Sequence, residues 1–114
     1  MIRLTTTLRR RPGLSLELFF AHWLNVHAPL VRSHADVLGI RKYVQLHTLA
    51  DQHDDRDAAY DGLAQIWFDS REDFTARMRS TDGKAAARRV REDERLFIDI
   101  ERTIAWWGSE HVIL

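Results

Sequence analysis

The hydrophobic period changes across Pro12-Gly13, and this switch constrains the fold more than any other feature of the chain. Met1 to Arg9 alternates and is rich in Thr and aliphatic side chains, as a strand requires. From Leu16 onward the apolar residues recur at helical spacing. Ser15 suits an N-cap, Glu17 falls in the first turn where a negative charge complements the helix dipole, and Pro29 cannot continue a helix in register. The spacing therefore predicts a helix from about Leu16 to about His27.

At ~100° per residue, Val26, Phe19, Trp23, Leu16, Phe20 and Leu24 span an arc of roughly 160°, with Glu17, Ala21 and Asn25 opposite. His27 falls near the middle of the apolar arc and is expected to point at a core or cavity. His22 falls just outside it and is expected on a wetted flank. An imidazole at a helix C-terminus can also simply cap carbonyls and gain from the dipole.

The remaining elements are read from turn chemistry and periodicity. Pro29 fits the first turn of a short helical segment, Leu30 to Val37, and Gly39 lies where a left-handed C-terminal residue belongs. Ile40 to Leu49 and Gly62 to Asp69 read as strands. Ser70 and Asp73 form a capping box for a helix carrying Phe74 and Met78; Thr81-Asp82-Gly83 interrupts it before an Ala/Arg-rich segment running to about Arg95. Phe97 to Trp107 supplies a fourth strand region, and Glu110 to Leu114 a short extended tail.

The order β-α-β-β-α-β specifies an α+β fold of the ferredoxin-like plan, a four-stranded antiparallel sheet with helices on one face. Strand parity assigns Ile2, Leu4 and Leu8, then Val44 and Leu46, then Ala64, Ile66 and Phe68 to the helix side. The alternates are Thr5 and Thr7; Tyr43, Gln45 and His47; and Leu63, Gln65 and Trp67. Trp106 and Trp107 must point to opposite faces. The alternate set is too apolar around Trp67 for plain exposure and too polar for a dry core, as a pocket wall would be. A second copy is the simplest partner for such a face, so a homodimer closing two sheets into a barrel is expected.

Composition removes several function classes. At 114 residues the chain, 1–114, is expected to form a single domain. Lys plus Arg and Asp plus Glu number 17 each, so no global field favours nucleic acid or anionic lipid. The basic run from Lys84 to Arg91, with Glu92, Asp93 and Glu94 after it, reads as the solvated face of a good helix former. Cysteine is absent, which excludes disulfides and thiolate chemistry, and no apolar run approaches the ~20 residues that cross a bilayer. No signal-peptide core is visible, and a cytoplasmic location is expected. The acidic stretch Ala50 to Gly62 fails as a calcium loop, because Arg56 and Gly62 stand where Gly and Glu are needed. A zinc pair at His22 and His27 is disfavoured, since five residues diverge by ~140° on an α-helix.

Five segments resemble the EthD-like family of the dimeric α+β barrel superfamily. They are Arg11-Pro12-Gly13-Leu14-Ser15; His22-Trp23 with His27-Ala28-Pro29-Leu30; Gly39 to Gln45 with His47; Asp61-Gly62-Leu63-Ala64 with Trp67-Phe68-Asp69-Ser70; and Asp93-Glu94 with Phe97-Ile98-Asp99. The resemblance spans nearly the whole chain. It implies a small homodimeric barrel without an organic cofactor, of the kind that includes methylmuconolactone isomerases and fungal polyketide-modifying decarboxylases and dehydratases. It also implies that His27, at the end of the first helix, and Tyr43, in the second strand, act on the substrate. His53 lies near a third histidine position of the lactone isomerases without aligning cleanly.

The chemistry expected is cofactor-independent proton transfer next to a carbonyl, of isomerase, lyase or oxidoreductase type, on a small apolar oxygenated molecule of lactone, aromatic-derived or polyketide-like character. His27 would be the base, Tyr43 would hold a carbonyl or enolate oxygen, and His47 would be a second acid or base. Trp23, Gln45, Gln65 and Trp67 would line the substrate site. No metal is expected. The alternative is a non-catalytic barrel that binds a small molecule or haem, with His27 as axial ligand.

Overall fold

The computed structural model describes residues 1–53 and 60–114; Asp54, Asp55, Arg56 and Asp57 of the acidic stretch lie outside them. The described residues run β1 (Ile2–Leu8), α1 (Leu16–His22), a π-helical turn (Trp23–His27), α2 (Ala28–Ser33), α3 (Ala35–Leu38), β2 (Ile40–His47), β3 (Gly62–Phe68), α4 (Arg71–Arg79), α5 (Thr81–Phe97) and β4 (Ile104–Ser109). The strands pair antiparallel in the order β2-β3-β1-β4, the ferredoxin-like arrangement.

Local signals account for most boundaries. Ser15 Oγ accepts the Leu18 N–H at 3.1 Å and Ser70 Oγ accepts the Asp73 N–H at 3.0 Å, so both predicted N-caps form. Gly39 takes the left-handed conformation at φ 76° and ends α3. Two boundaries differ from the sequence expectation. Thr81, Asp82 and Gly83 open α5 instead of interrupting a helix, because Ser80 Oγ accepts the Gly83 N–H at 3.0 Å and caps a new helical start. Phe97 closes α5, and the last strand begins only at Ile104.

The larger departure is at Pro29. The helical path continues through it, but in a changed register: the turn Trp23–His27 is π-helical, with the Ala28 N–H bonded to the Trp23 carbonyl five residues back. Proline has no N–H to give to an i−4 acceptor, and a widened turn leaves that carbonyl free without breaking the helix. The widening also rotates the residues after it. Leu24 and Val26, expected in the apolar arc, are exposed, while Phe19, Trp23 and His27 are buried.

Strand parity holds for β1, β3 and β4 and is inverted for β2. Tyr43, Gln45 and His47 pair with Ile66, Ala64 and Gly62 and share the helix side with them, whereas Val44 and Leu46 face outward. The cause is an irregularity between Ile40 and Lys42: Ile40 pairs with Phe68 and Lys42 with Trp67, leaving Arg41 as an extra residue. One inserted residue moves every later side chain to the other face. Trp107 meets Phe68 and Phe74 on the helix side while Trp106 lies half exposed on the open face, as adjacency requires.

The core consists of Leu8, Phe19, Trp23, Ala64, Phe97 and Ile98, with Leu14, Phe20 and Tyr43 packed against it. Full burial of Phe19, Trp23 and Phe97 contributes on the order of 2–3 kcal/mol each before the entropy of ordering them is counted. No helix among the described residues is long and apolar enough to cross a membrane.

Candidate active site

The helix layer and the sheet enclose a cavity of about 330 Å³. Leu4, Val31, Leu38, Ile66, Phe68 and Met78 give it an apolar body, and His27, Tyr43, Arg91 and Glu94 are its ionisable lining residues. This is the combination expected of a small-molecule site, an apolar enclosure with a few convergent polar groups.

His27 is 5 % exposed, and its Nδ1 lies 2.8 Å from Asp93 Oδ2. A carboxylate accepts, so Nδ1 carries the proton and Nε2 keeps a lone pair. His27 lines the cavity, and its Nε2 makes no hydrogen bond among the described residues. Burial lowers the His27 pKa below its usual range, His22 adds to the effect, and the bond to Asp93 opposes it. The ring is thus kept as a neutral base.

His22 is not a wetted flank. Its Nε2 lies 3.1 Å from both oxygens of the buried Asp93. The π turn is responsible: an i→i+5 repeat sets residues five apart nearly above one another, where an α-helix would splay them. Asp93 and Glu94, assigned from the sequence to a solvated face, are the residues missed. Their signal was present in the spacing, because Ala86, Ala87, Val90, Asp93, Glu94 and Phe97 fall on one helical stripe, which makes the two acids polar residues in apolar positions. Glu94 is partly buried, and desolvation pushes its carboxyl up to about 7, with Arg91 and Arg95 opposing and Asp93 reinforcing.

Tyr43 and Gln45 form a fixed chain. Gln45 Nε2 lies 3.0 Å from the Trp23 carbonyl oxygen, which can only accept, so this atom is the amide nitrogen and Oε1 must be the acceptor for His47 Nε2 at 2.8 Å. The second Gln45 N–H donates to Tyr43 Oη at 2.8 Å. With its oxygen already supplied, the Tyr43 hydroxyl has its own proton to give to the cavity it lines. Burial raises the Tyr43 pKa above its usual range, against the bond from Gln45.

The other predicted site residues divide. Trp23 lines the cavity with His27 and Tyr43. His47 does not; its ring is stacked between Trp23, at 4.4 Å and 8°, and Phe20, at 4.7 Å and 19°, and desolvation lowers its pKa. Gln45 stands behind Tyr43 as its anchor. Gln65 and Trp67 lie on the opposite face of the sheet, where Arg3 and Lys42 stack over the Trp67 ring at 5.2 and 4.8 Å, so they cannot share a wall with Tyr43. That expectation failed with the parity of β2. His53 bonds Asp61 at 2.9 Å, beside the Arg10 guanidinium, and helps to anchor the chain before β3. Among the described residues no cluster of three or more His, Asp or Glu side chains could hold a metal ion.

A family model described as EthD domain matches residues 11–101, a span holding His22, His27, Tyr43, Asp93 and Glu94. The chain belongs to the EthD family. A protein named "Decarboxylase" from Claviceps purpurea (strain 20.1) is 29 % identical over 110 residues, covering 85 % of this chain and 76 % of that protein. Among solved structures, an EthD family protein from Bacillus halodurans C-125 superposes with a TM-score of 0.66 at 22 % identity, over 97 % of this chain and 99 % of that one. A protein from Bacteroides fragilis NCTC 9343, described as dimeric with a ferredoxin-like fold and of unknown function, gives 0.64 at 10 % identity over 96 % and 95 %. Both structural likenesses concern the EthD chain's fold.

Proposed function

We propose that this EthD-family protein is an enzyme acting on a small, apolar, oxygenated molecule by cofactor-independent proton transfer next to a carbonyl. The observation that carries this reading is the Asp93–His27 pair at the wall of an apolar cavity, with Nδ1 bonded and Nε2 unbonded. A carboxylate that fixes the imidazole tautomer and steadies the imidazolium is the arrangement that makes histidine an effective general base. Tyr43, anchored by Gln45, offers its hydroxyl to the carbonyl oxygen. Asp93 also takes His22, which gives the carboxylate a second fixed donor. The Claviceps relative named "Decarboxylase" is compatible with chemistry that passes through an enolate, since loss of carbon dioxide beside a carbonyl leaves the same species.

The test is hydrogen–deuterium exchange of the bicyclic ketone α-tetralone in heavy water, monitored by proton NMR. The wild-type protein should accelerate exchange next to the carbonyl; His27→Ala should reduce the acceleration about 10²-fold or more and Tyr43→Phe by about tenfold or more. Exchange in both variants at the wild-type rate overturns the reading.

We also infer a homodimer in which the open sheet faces meet. On that face Leu46, Ile104 and Trp106 are exposed at 61, 55 and 49 %, an apolar patch that water does not favour. The Bacteroides fragilis protein of the same fold is described as dimeric, which supports a two-chain state. Native mass spectrometry should give twice the chain mass, and Trp106→Glu should give the monomer.

A further inference from the structure

We infer that Glu94 and Tyr43 together form the oxygen-binding end of the cavity, a pair of O–H donors that receives the carbonyl oxygen of an uncharged, enolisable ketone, ester or lactone. The catalytic part of this inference rests on the proton-transfer reading above. Both residues line the same cavity, from α5 and β2. They are close enough for the charge of Glu94 to bear on the Tyr43 phenol. Each is otherwise uncommitted toward the cavity. Gln45 fills the acceptor side of the Tyr43 hydroxyl, and the Glu94 carboxyl makes no hydrogen bond or ion pair among the described residues, although Arg91 lines the same cavity.

A partly buried carboxyl with no partner in an apolar enclosure is costly as an anion and cheap as an acid. As an acid it is a donor, and an acid and a phenol aimed at one oxygen stabilise the charge that develops there when an adjacent C–H is broken. The step balances without any co-reactant. His27 Nε2 takes the proton from the carbon next to the carbonyl, the C–H pair becomes the C=C bond, and the carbonyl π pair moves to oxygen. Tyr43 and Glu94 hold that oxygen, or Glu94 passes its proton to it and becomes the carboxylate. Reversal returns a proton to carbon. Ionisation of Glu94 removes one of the two donors and sets a negative charge against the bound oxygen, so a neutral carbonyl is held best while the carboxyl keeps its proton.

The charged groups bearing on Glu94 are Arg91, Asp93 and Arg95 from α5, and the cavity it lines also holds His27 from the π turn and Tyr43 from β2. Of the two titratable groups that line the cavity with it, His27 titrates below its usual range and Tyr43 above its own, so a change centred between them belongs to Glu94.

The experiment measures binding of α-tetralone by titration calorimetry at pH 6 and pH 9, with the infrared carboxyl band of the ligand-free protein recorded over the same range. For the wild type, affinity should fall tenfold or more between pH 6 and pH 9, and a protonated-carboxyl band should vanish with a midpoint near neutrality. In Glu94→Gln, which donates at every pH, affinity should be equal at both, and the band should be absent. A wild-type affinity that does not change with pH, a carboxyl band that is already missing at pH 6, or no saturable binding at pH 6 overturns the inference. Should α-exchange prove independent of His27 while pH-dependent binding persists, the proton-transfer reading falls and the oxygen-binding pair stands.

Discussion

His27 Nδ1 and Asp93 Oδ2, 66 residues apart in sequence, lie 2.8 Å from each other and tie the π turn to α5. The same carboxylate accepts His22 Nε2 at 3.1 Å, so one buried acid fixes two rings. Asp93→Asn keeps the volume but loses an acceptor and leaves a donor facing donors. It should lower stability by about 2 kcal/mol, read as a shift in the urea midpoint. It should also reduce α-tetralone exchange by about 10²-fold or more, because nothing then selects the His27 tautomer. Wild-type values for both would show that the pair neither holds the fold nor sets the base.

The raised pKa of Glu94 makes a prediction of unusual sign. A carboxyl that titrates at about 7 when folded and at 4.5 when unfolded holds its proton more tightly in the folded state between those values. Stability from this group therefore decreases as pH rises from about 4.5 to about 7, by up to roughly 3 kcal/mol before discounting for partial exposure. His27, with its pKa lowered, acts in the opposite sense and weakens the fold as pH falls below 6.5. The difference between wild type and Glu94→Gln removes that shared contribution. Urea unfolding should find the variant more stable at pH 8 and nearly equal at pH 4.

Gly62 is required by its neighbours. A Cβ there would run into the ring of Trp23, which is itself stacked on His47. Gly62→Ala should cost about 1–3 kcal/mol by overpacking and displace the indole, visible as a changed near-ultraviolet dichroism spectrum.

Gln45 anchors three groups at once. Gln45→Leu leaves His47 Nε2–H without its partner, takes the second of two donors from the Trp23 carbonyl, which keeps the Ala28 N–H, and frees the Tyr43 hydroxyl to turn away from the cavity. Thermal unfolding should show a loss of about 1–3 kcal/mol, and exchange should fall toward the Tyr43→Phe rate. Unaltered exchange would mean that Tyr43 is held in place by packing alone.

Much of the architecture is legible in the chain because its signals are local. Ser15, Ser70 and Gly39 act within three or four residues of the backbone groups they satisfy, so the caps, the element order and the ferredoxin-like plan can be read from short windows of sequence. His27 and Tyr43 are legible as site candidates, and the cavity does bring them together. The role of Tyr43 is implied by the family resemblance, and the parity argument is wrong about its surroundings. It puts Tyr43 on the open face with Gln65 and Trp67, and the extra residue at Arg41 moves it to the helix side without them.

Pairing over long separations has no such local signal. The face of β2 depends on how it registers with β3, and a single bulge reverses it, with no change in composition to announce the fact. The π turn at Trp23–His27 joins a proline that lacks an N–H to an acid 66 residues away from His27, and neither predicts the turn by itself. Asp93 and Glu94 look like surface charges in a charged helix until α5 is laid on the sheet, when burial turns one into the anchor of two histidines and pushes the carboxyl of the other, at the cavity wall, up to about 7. Local backbone preference and periodicity, both written in the sequence, determined the elements and the side chains available for chemistry. Tertiary packing decided which of those side chains meet and in what protonation state, because solvation and hydrogen bonding are set by neighbours that only the folded chain supplies.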